Sequence, residues 1–217
     1  MAKIKKATKK EIEEIKKRFI ERYSGAVTEL KYKNLYELVV AVALSAQCTD
    51  KRVNLITPAF FERFPSPKEL ASAELEEIKE LIKTCSFFNN KAKNLKKMAE
   101  RVMEVYNGEI PLDEKELVTL AGVGQKTAHV VMIEYNGANL MAVDTHVFRV
   151  AHRLGLSDDE TAIKTEETLT KKFKDNLQIL HQAMVLFGRY ICTAKNPKCD
   201  KCFLTEFCKT KESFKAR

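Results

Sequence analysis

The chain has 217 residues, of which 45% are hydrophobic and 31% charged, a composition typical of a globular protein that can bury a sizeable core. Its low content of Gly (7) and Pro (5) excludes collagen-like chains and Pro/Gly-rich disordered chains. An excess of 38 basic over 30 acidic residues gives a net charge of +8, which favours a polyanionic partner but also occurs in ordinary basic proteins.

In chain order, helix starts are predicted where a side chain can accept a hydrogen bond from a free backbone N–H: after Thr8, Asn34, Ser66, Asp113 and Asp144. Helix ends are predicted at Asn107-Gly108, Asn136-Gly137 and Gly155. Apolar residues recur at helical spacing between these signals, as in the stripe of Ile12, Ile15, Phe19, Ile20 and Tyr23. No run alternates apolar and polar residues, and no segment repeats, so the predicted fold class is all-α.

No segment predicts a membrane span or an export signal. The apolar run from Leu38 to Ala46 is too short to cross a bilayer, and no apolar stretch follows the basic residues around Lys5. We therefore expect a compartment inside the cell, where the six cysteines stay reduced or bind metal.

The most specific local signal is a cysteine cluster. Cys192, Cys199, Cys202 and Cys208 have the spacing C-x6-C-x2-C-x5-C. Four thiolates this close suit an iron–sulfur cluster or Zn²⁺, although zinc sites more often pair two close-set ligands across a longer spacer. Unligated thiols are the third reading. The loop between the first two cysteines carries Lys195 and Lys198, either as phosphate contacts or as solvated surface residues.

A second signal is the glycine-rich segment from Leu120 to Ala128, which joins two predicted helices. Glycines permit a tight turn, and the helix that follows offers its positive N-terminal end to a phosphate. The segment is not a P-loop, because Gln125 and not glycine precedes Lys126. On its own it is equally a plain helix–turn–helix corner.

Taken together, these segments resemble the endonuclease III family of DNA glycosylases. The match comprises Leu-Ala-Gly-Val-Gly-Gln-Lys-Thr-Ala at 120–128, Ala-Val-Asp-Thr-His-Val-Phe-Arg at 142–149 and the cysteine spacing, with Leu-Ser-Ala-Gln-Cys-Thr-Asp at 44–50 and Asn-Lys-Ala at 90–92 upstream. The motifs lie in the family's order and cover about residues 10 to 208. At two positions the chain departs from the pattern of close bacterial relatives, with Gln125 in place of Arg and Ser86 in place of Gly, which puts the lesion preference in doubt.

The resemblance implies a bifunctional enzyme that removes oxidised pyrimidines from damaged double-stranded DNA and cleaves the resulting abasic site. Lys126 would be the nucleophile, which must be neutral to attack, and Asp144 would assist it. The four cysteines would bind a [4Fe–4S] cluster. Implied DNA contacts are Gln47 and Phe87 as residues that fill the gap of the everted nucleotide, with Gly122, Val123, Gly124, Gln125, Thr127, His146, Lys195 and Lys198.

The implied fold is the two-domain, all-α helix–hairpin–helix glycosylase fold. Residues 28–138 would form a six-helix domain, and residues 1–27 with 139–217 a cluster-bearing domain, with the active-site cleft between them. We expect a monomer in the bacterial cytoplasm, associated with the nucleoid and not with a membrane. Two alternatives stay open: a monofunctional mismatch glycosylase, which usually lacks lysine at position 126, and a non-catalytic DNA-binding or redox module, which needs neither Lys126 nor Asp144.

Overall fold

The computed structural model describes residues 5–210, and over that range it contains helices and turns but no β-strand. The predicted all-α class is confirmed. The α-helices are α1 (Lys9–Tyr23), α2 (Leu35–Ser45), α3 (Asp50–Arg63), α4 (Pro67–Ala71), α5 (Leu75–Ile82), α6 (Phe88–Val105), α7 (Glu114–Leu117), α8 (Gln125–Asn136), α9 (Thr145–Arg153), α10 (Ala162–Phe173) and α11 (Leu177–Tyr190). Two short 3₁₀ turns follow, at Cys199–Lys201 and Thr205–Phe207.

The chain divides into two compact units. The first unit consists of the described residues up to Val27 together with those from Gly137 onward, and the second runs from Thr28 to Asn136. The second unit contains helices α2 to α8, seven where the family resemblance implies six. In residues 5–210, no helix has both the length and the apolar character needed to cross a membrane.

Side-chain caps fix several helix starts. Thr8 and Glu11 form the predicted capping box: the Glu11 N–H donates to Thr8 Oγ1 at 3.3 Å and the Thr8 N–H to Glu11 Oε2 at 2.6 Å. Asn34 caps α2 by accepting from the Glu37 N–H at 2.9 Å. α7 ends at Leu117, where a tight turn and not a further helical turn leads into the glycine segment.

The second unit is built around α2, which is buried on almost every side and packs against α3, α6 and α8. The apolar run from Leu38 to Leu44 is therefore core, as its all-round hydrophobicity predicts, whereas Ala46 beyond the helix is exposed. α6 is the longest helix of this unit and also packs against α4 and α5. It thereby joins α4 and α5 to the core helix α2.

In the first unit the cysteine-rich tail takes part in the core. Phe203 packs edge-on against Phe19 of α1 and Phe187 of α11, with ring centroids 5.7 and 5.3 Å apart. The Lys209 ammonium also donates to Glu11 Oε1 at 2.6 Å, and this hydrogen bond is the main reason that the pKa of Glu11 falls to about 2. The tail is thus held by aromatic packing and by the ion pair of Lys209 with Glu11.

Candidate functional site

The glycine segment forms a tight hairpin between α7 and α8 in the second unit. Gly122 has φ +84°, a left-handed conformation that favours glycine, and a Cβ atom added there would lie 3.1 Å from Asn94 Cβ on α6. The Val123 N–H donates to the Leu120 carbonyl at 3.0 Å, and the Val123 side chain is buried. The hairpin is therefore anchored through Val123, while Gly122 and Gly124 are exposed.

Directly after the hairpin, α8 presents its first turn to solvent. Gly124 precedes the helix, accepts from the Ala128 N–H at 3.0 Å and has no side chain with which to cap it. Because the first N–H groups of a helix have no intrahelical acceptor, those of Gln125, Lys126 and Thr127 can bind an anion. Gln125 and Lys126 are exposed, and Thr127 is half-buried.

Asp144 caps α9 in the first unit. Its Oδ1 accepts from the His146 and Val147 N–H groups, each at 2.8 Å, which confirms the predicted helix start. The side chain is half-buried, and the cap leaves Oδ2 for a second interaction. Asp144 and Lys126 belong to different units.

The structure places His146 against α11. Its side chain is half-buried, and a Cβ added at Gly188 of α11 would lie 2.9 Å from His146 Cβ. Arg149, one turn further on, has Nη2 3.1 Å from His146 Nδ1 and donates to the carbonyls of Gly188 (2.8 Å) and Cys192 (3.0 Å). Burial lowers the pKa of Arg149. These contacts join α9 to the start of the cysteine segment.

Gln47 and Phe87 occupy two exposed loops of the second unit, after α2 and before α6. Both have left-handed backbones, with φ of 55° and 58°, a conformation that is uncommon for residues other than glycine. Phe87 is 61% exposed, so this aromatic side chain is held outside the core. Packing of the core therefore does not explain why Phe87 adopts this conformation, which points to a functional role.

The four clustered cysteines line one small, partly open cavity. No group of three or more His, Cys, Asp or Glu side chains in the described part of the chain is arranged to hold a single metal ion. Burial raises the pKa of Cys192, although the Arg153 guanidinium, with Nη1 3.3 Å from Cys192 Sγ, acts against this rise. A donor set of thiols only, around one cavity and beside a cation, fits an iron–sulfur cluster.

Arg153 also shapes the basic loop between the first two cysteines. It donates to the carbonyls of Thr193 at 2.7 Å and Ala194 at 3.0 Å, and the Lys198 N–H closes the loop onto the Ile191 carbonyl at 2.9 Å. Lys195 and Lys198 are exposed. The loop therefore holds two lysine side chains in solvent, and Lys198 also lines the cysteine cavity.

Sequence reasoning assigned no role to Arg149, Arg153 or Lys91. The two arginines are four residues apart on the helix that Asp144 caps, so their position on one helix face was a usable signal. Lys91 lies in the Asn-Lys-Ala segment at 90–92, whose spacing alone gives no sign of what the lysine binds.

Two protein-family models match the chain. Residues 40–175 match the HhH-GPD superfamily of base excision DNA repair proteins, and residues 192–208 match the iron–sulfur binding domain of endonuclease III. The second match covers all four clustered cysteines.

Similar proteins include endonuclease III of Bacillus subtilis, with 43% identity over 86% of each chain, and that of Haemophilus influenzae, with 40% identity over 92% of this chain and 95% of the relative. The structure of a trapped covalent intermediate of endonuclease III with DNA superposes with a TM-score of 0.90 at 39% identity, covering 95% of this chain and 98% of that one. A thermostable thymine-DNA glycosylase shares the fold, with a TM-score of 0.83, 23% identity and coverage of 94% of this chain and 98% of that one.

Proposed function

The chain belongs to the endonuclease III family of HhH-GPD base excision DNA repair proteins, and from this premise we propose that Lys126 and Asp144 are its catalytic residues. The protein is a bifunctional DNA glycosylase and AP lyase for oxidised pyrimidines, and its cofactor is a [4Fe–4S] cluster. DNA is its partner.

The reaction uses a lysine amine as nucleophile. The neutral Lys126 Nζ attacks C1′ of the damaged nucleotide. The bond between C1′ and Nζ forms as the glycosidic bond breaks, and the base leaves with a proton. Opening of the sugar gives a Schiff base, and loss of a 2′ proton then expels the 3′ phosphate by β-elimination. Hydrolysis of the imine releases Lys126. The exposed position of Lys126 in the first turn of α8 supports this role, because the amine is accessible beside an anion-binding helix end.

Asp144 is the second proposed catalytic residue. Its carboxylate can accept the proton of the Lys126 ammonium or stabilise positive charge that develops on the sugar. The cap on α9 supports either role, because the two hydrogen bonds at Oδ1 fix the orientation of the carboxylate and leave Oδ2 for the reaction.

The protein contacts DNA at the phosphates and in the gap that the everted nucleotide leaves in the duplex. We assign phosphate contacts to the N–H groups of Gly122, Gly124, Gln125 and Thr127 and to Lys195 and Lys198. Val123 takes part by anchoring the hairpin, because its own N–H donates to the Leu120 carbonyl. Gln47 and Phe87 fill the space of the everted nucleotide, a role for which their exposure and left-handed backbones are suited. His146 is assigned a smaller part in DNA binding, because its side chain is half-buried and its ring lies beside Arg149.

The cysteine cavity supports the assignment of Cys192, Cys199, Cys202 and Cys208 as the cluster ligands. When bound, the cluster crosslinks the tail and so fixes the loop that carries Lys195 and Lys198. The hairpin unit and the cluster-bearing unit are assigned as the two domains of the protein, which we take to act as a monomer on damaged duplex DNA at the nucleoid of a bacterial cell.

The observation that carries the proposal is Lys126, exposed directly after the phosphate-binding hairpin. The test is borohydride trapping on a duplex that contains thymine glycol, with wild type compared with Lys126→Gln. We expect a covalent adduct with the wild type and none with the variant. A folded wild type that removes the base without forming an adduct would support the monofunctional alternative, and one that binds without cleavage the non-catalytic alternative.

A further inference from the structure

Lys91, near the start of α6, is bonded to both exposed loops that carry Gln47 and Phe87. Its backbone N–H donates to the Phe87 carbonyl at 3.1 Å. Its ammonium donates to the carbonyl of Ala46, the residue before Gln47, at 2.7 Å. One residue therefore links the two loops, although they lie about forty residues apart in the chain.

The ammonium of Lys91 has no donor left for a phosphate. It donates to the carbonyls of Leu44 at 2.8 Å and Ala46 at 2.7 Å, and to Cys85 Sγ at 3.1 Å. The Cys85 thiol in turn donates to the Leu44 carbonyl at 3.3 Å. A lysine ammonium has three donors, so these three acceptors use all of them.

Lys91 also supplies what α2 lacks. The last carbonyls of a helix have no intrahelical donor and carry the negative end of its dipole, and α2 has no basic residue of its own in its last turn. The ammonium from α6 binds Leu44, within that last turn, and Ala46, immediately beyond it. The chain then turns into the left-handed conformation of Gln47.

We propose that Lys91 is a positioning residue for nucleotide eversion. The three hydrogen bonds of its ammonium, to Leu44, Ala46 and Cys85, tie the end of α2 to the segment before Phe87 and so set the spacing and direction of Gln47 and Phe87, so that both side chains fill the gap together. The proposal rests on the function assigned above to Gln47 and Phe87. It distinguishes Lys91 from the lysines that contact DNA, because its charge is used within the protein.

The test uses Lys91→Met, which keeps the length of the side chain and removes the ammonium. Lys96→Met is the matched control: Lys96 lies on the same helix, is also half-buried, and donates to the Ala73 carbonyl at 2.7 Å, away from both loops. Lys91→Arg keeps the charge but replaces the three-donor ammonium by a planar fork, so we expect a smaller version of the same defect.

Two measurements separate positioning from loss of structure. The first is the single-turnover cleavage rate for thymine glycol in a paired duplex and in an unpaired bubble, where no stacked gap has to be filled. We expect Lys91→Met to lower the duplex rate about tenfold and the bubble rate less than about twofold, whereas Lys96→Met leaves the ratio unchanged. The second is the fluorescence of 2-aminopurine beside the lesion, which reports unstacking whether or not cleavage follows.

A smaller unstacking signal and a lower duplex-to-bubble ratio for Lys91→Met alone support the positioning role. An unchanged ratio and signal in the folded variant overturn it, and so does an equal effect of Lys96→Met. If Lys91→Met does not fold, the same criteria apply to Lys91→Arg. Failure of wild type to cleave the duplex would contradict the proposed function instead, and the fluorescence comparison would still decide the role of Lys91.

Discussion

At the scale of single residues, Asp144 serves structure and chemistry with one carboxylate. Oδ1 accepts the two N–H groups that open α9, and a helix cap requires no charge, because asparagine caps about as well as aspartate. The proposed chemical role does require a charge, since it consists in accepting a proton or stabilising a developing cation. The two roles can therefore be separated by substitution.

We predict that Asp144→Asn keeps the stability of the protein and loses its activity. The cap survives in the variant, so the free energy of unfolding should change by less than about 0.5 kcal/mol, whereas glycosylase turnover should fall about a hundredfold or more. Asp144→Ala should lose about 1 kcal/mol of stability in addition. Thermal denaturation and single-turnover cleavage of a thymine-glycol duplex measure the two effects. Full activity of the asparagine variant would contradict a catalytic role for the charge.

At the scale of elements, the hairpin depends on α6 as well as on its own glycines. Gly122 is fixed both by its φ of +84° and by the nearby Asn94, whereas an added Cβ at Gly124 would meet nothing within 4 Å. We predict that Gly122→Ala lowers the free energy of unfolding by about 2 kcal/mol, since alanine is strained in a left-handed conformation and Asn94 must move. Chemical denaturation of the variant measures this loss.

Gly124→Ala is the matched comparison for that prediction. It should leave the free energy of unfolding the same or raise it by a few tenths of a kcal/mol, because alanine restricts the unfolded chain and fits the native conformation. Equal destabilisation by the two substitutions would show that neither the left-handed backbone nor Asn94 determines the geometry of the hairpin.

The same elements show how far the sequence alone could be used. Local pattern missed α3 and α10, although Thr49 and Thr161 cap them, whereas the helices after Thr8 and Asp144 were located from their capping side chains. α5 was not, because Glu74 makes no side-chain cap, and Pro58 inside α3 obscured that helix. The hairpin and the cysteine spacing are equally local signals.

Other parts of the site arise only when distant segments meet. The ammonium of Lys91 bonds carbonyls 45 and 47 residues earlier in the chain, and Arg153 reaches the Cys192 sulfur 39 residues later. No local spacing encodes such pairs. Conversely, the aromatic composition of the tail was visible, but its packing with Phe19 required the structure.

At the scale of the whole molecule, the two units depend on the cofactor to different degrees. The second unit has its own apolar core around α2 and contains none of the proposed ligands. In the first unit the tail is held by Phe203, by the ion pair of Lys209 with Glu11, and by the cluster that its cysteines are proposed to bind. Arg153 connects the tail to α9 through Cys192 and Thr193. Loss of the cluster should therefore disturb the first unit locally and leave the second unit folded.

We predict that Cys199→Ser loses iron and binds DNA about tenfold more weakly while residues 28–136 keep their protection against hydrogen exchange. Loss of protection should be confined to the tail and to the C-terminal part of α9, because Arg153 no longer has a fixed loop to bind. Iron content, DNA affinity at fixed salt and exchange followed by peptide mass measure these three effects.

Cys48→Ser is the control, since Cys48 lies in the second unit and this variant should retain full iron. Unchanged DNA affinity in iron-free protein would mean that aromatic packing and ion pairs alone position Lys195 and Lys198. An iron-free chain that loses protection throughout residues 28–136 would instead show that the second unit cannot fold without the cofactor.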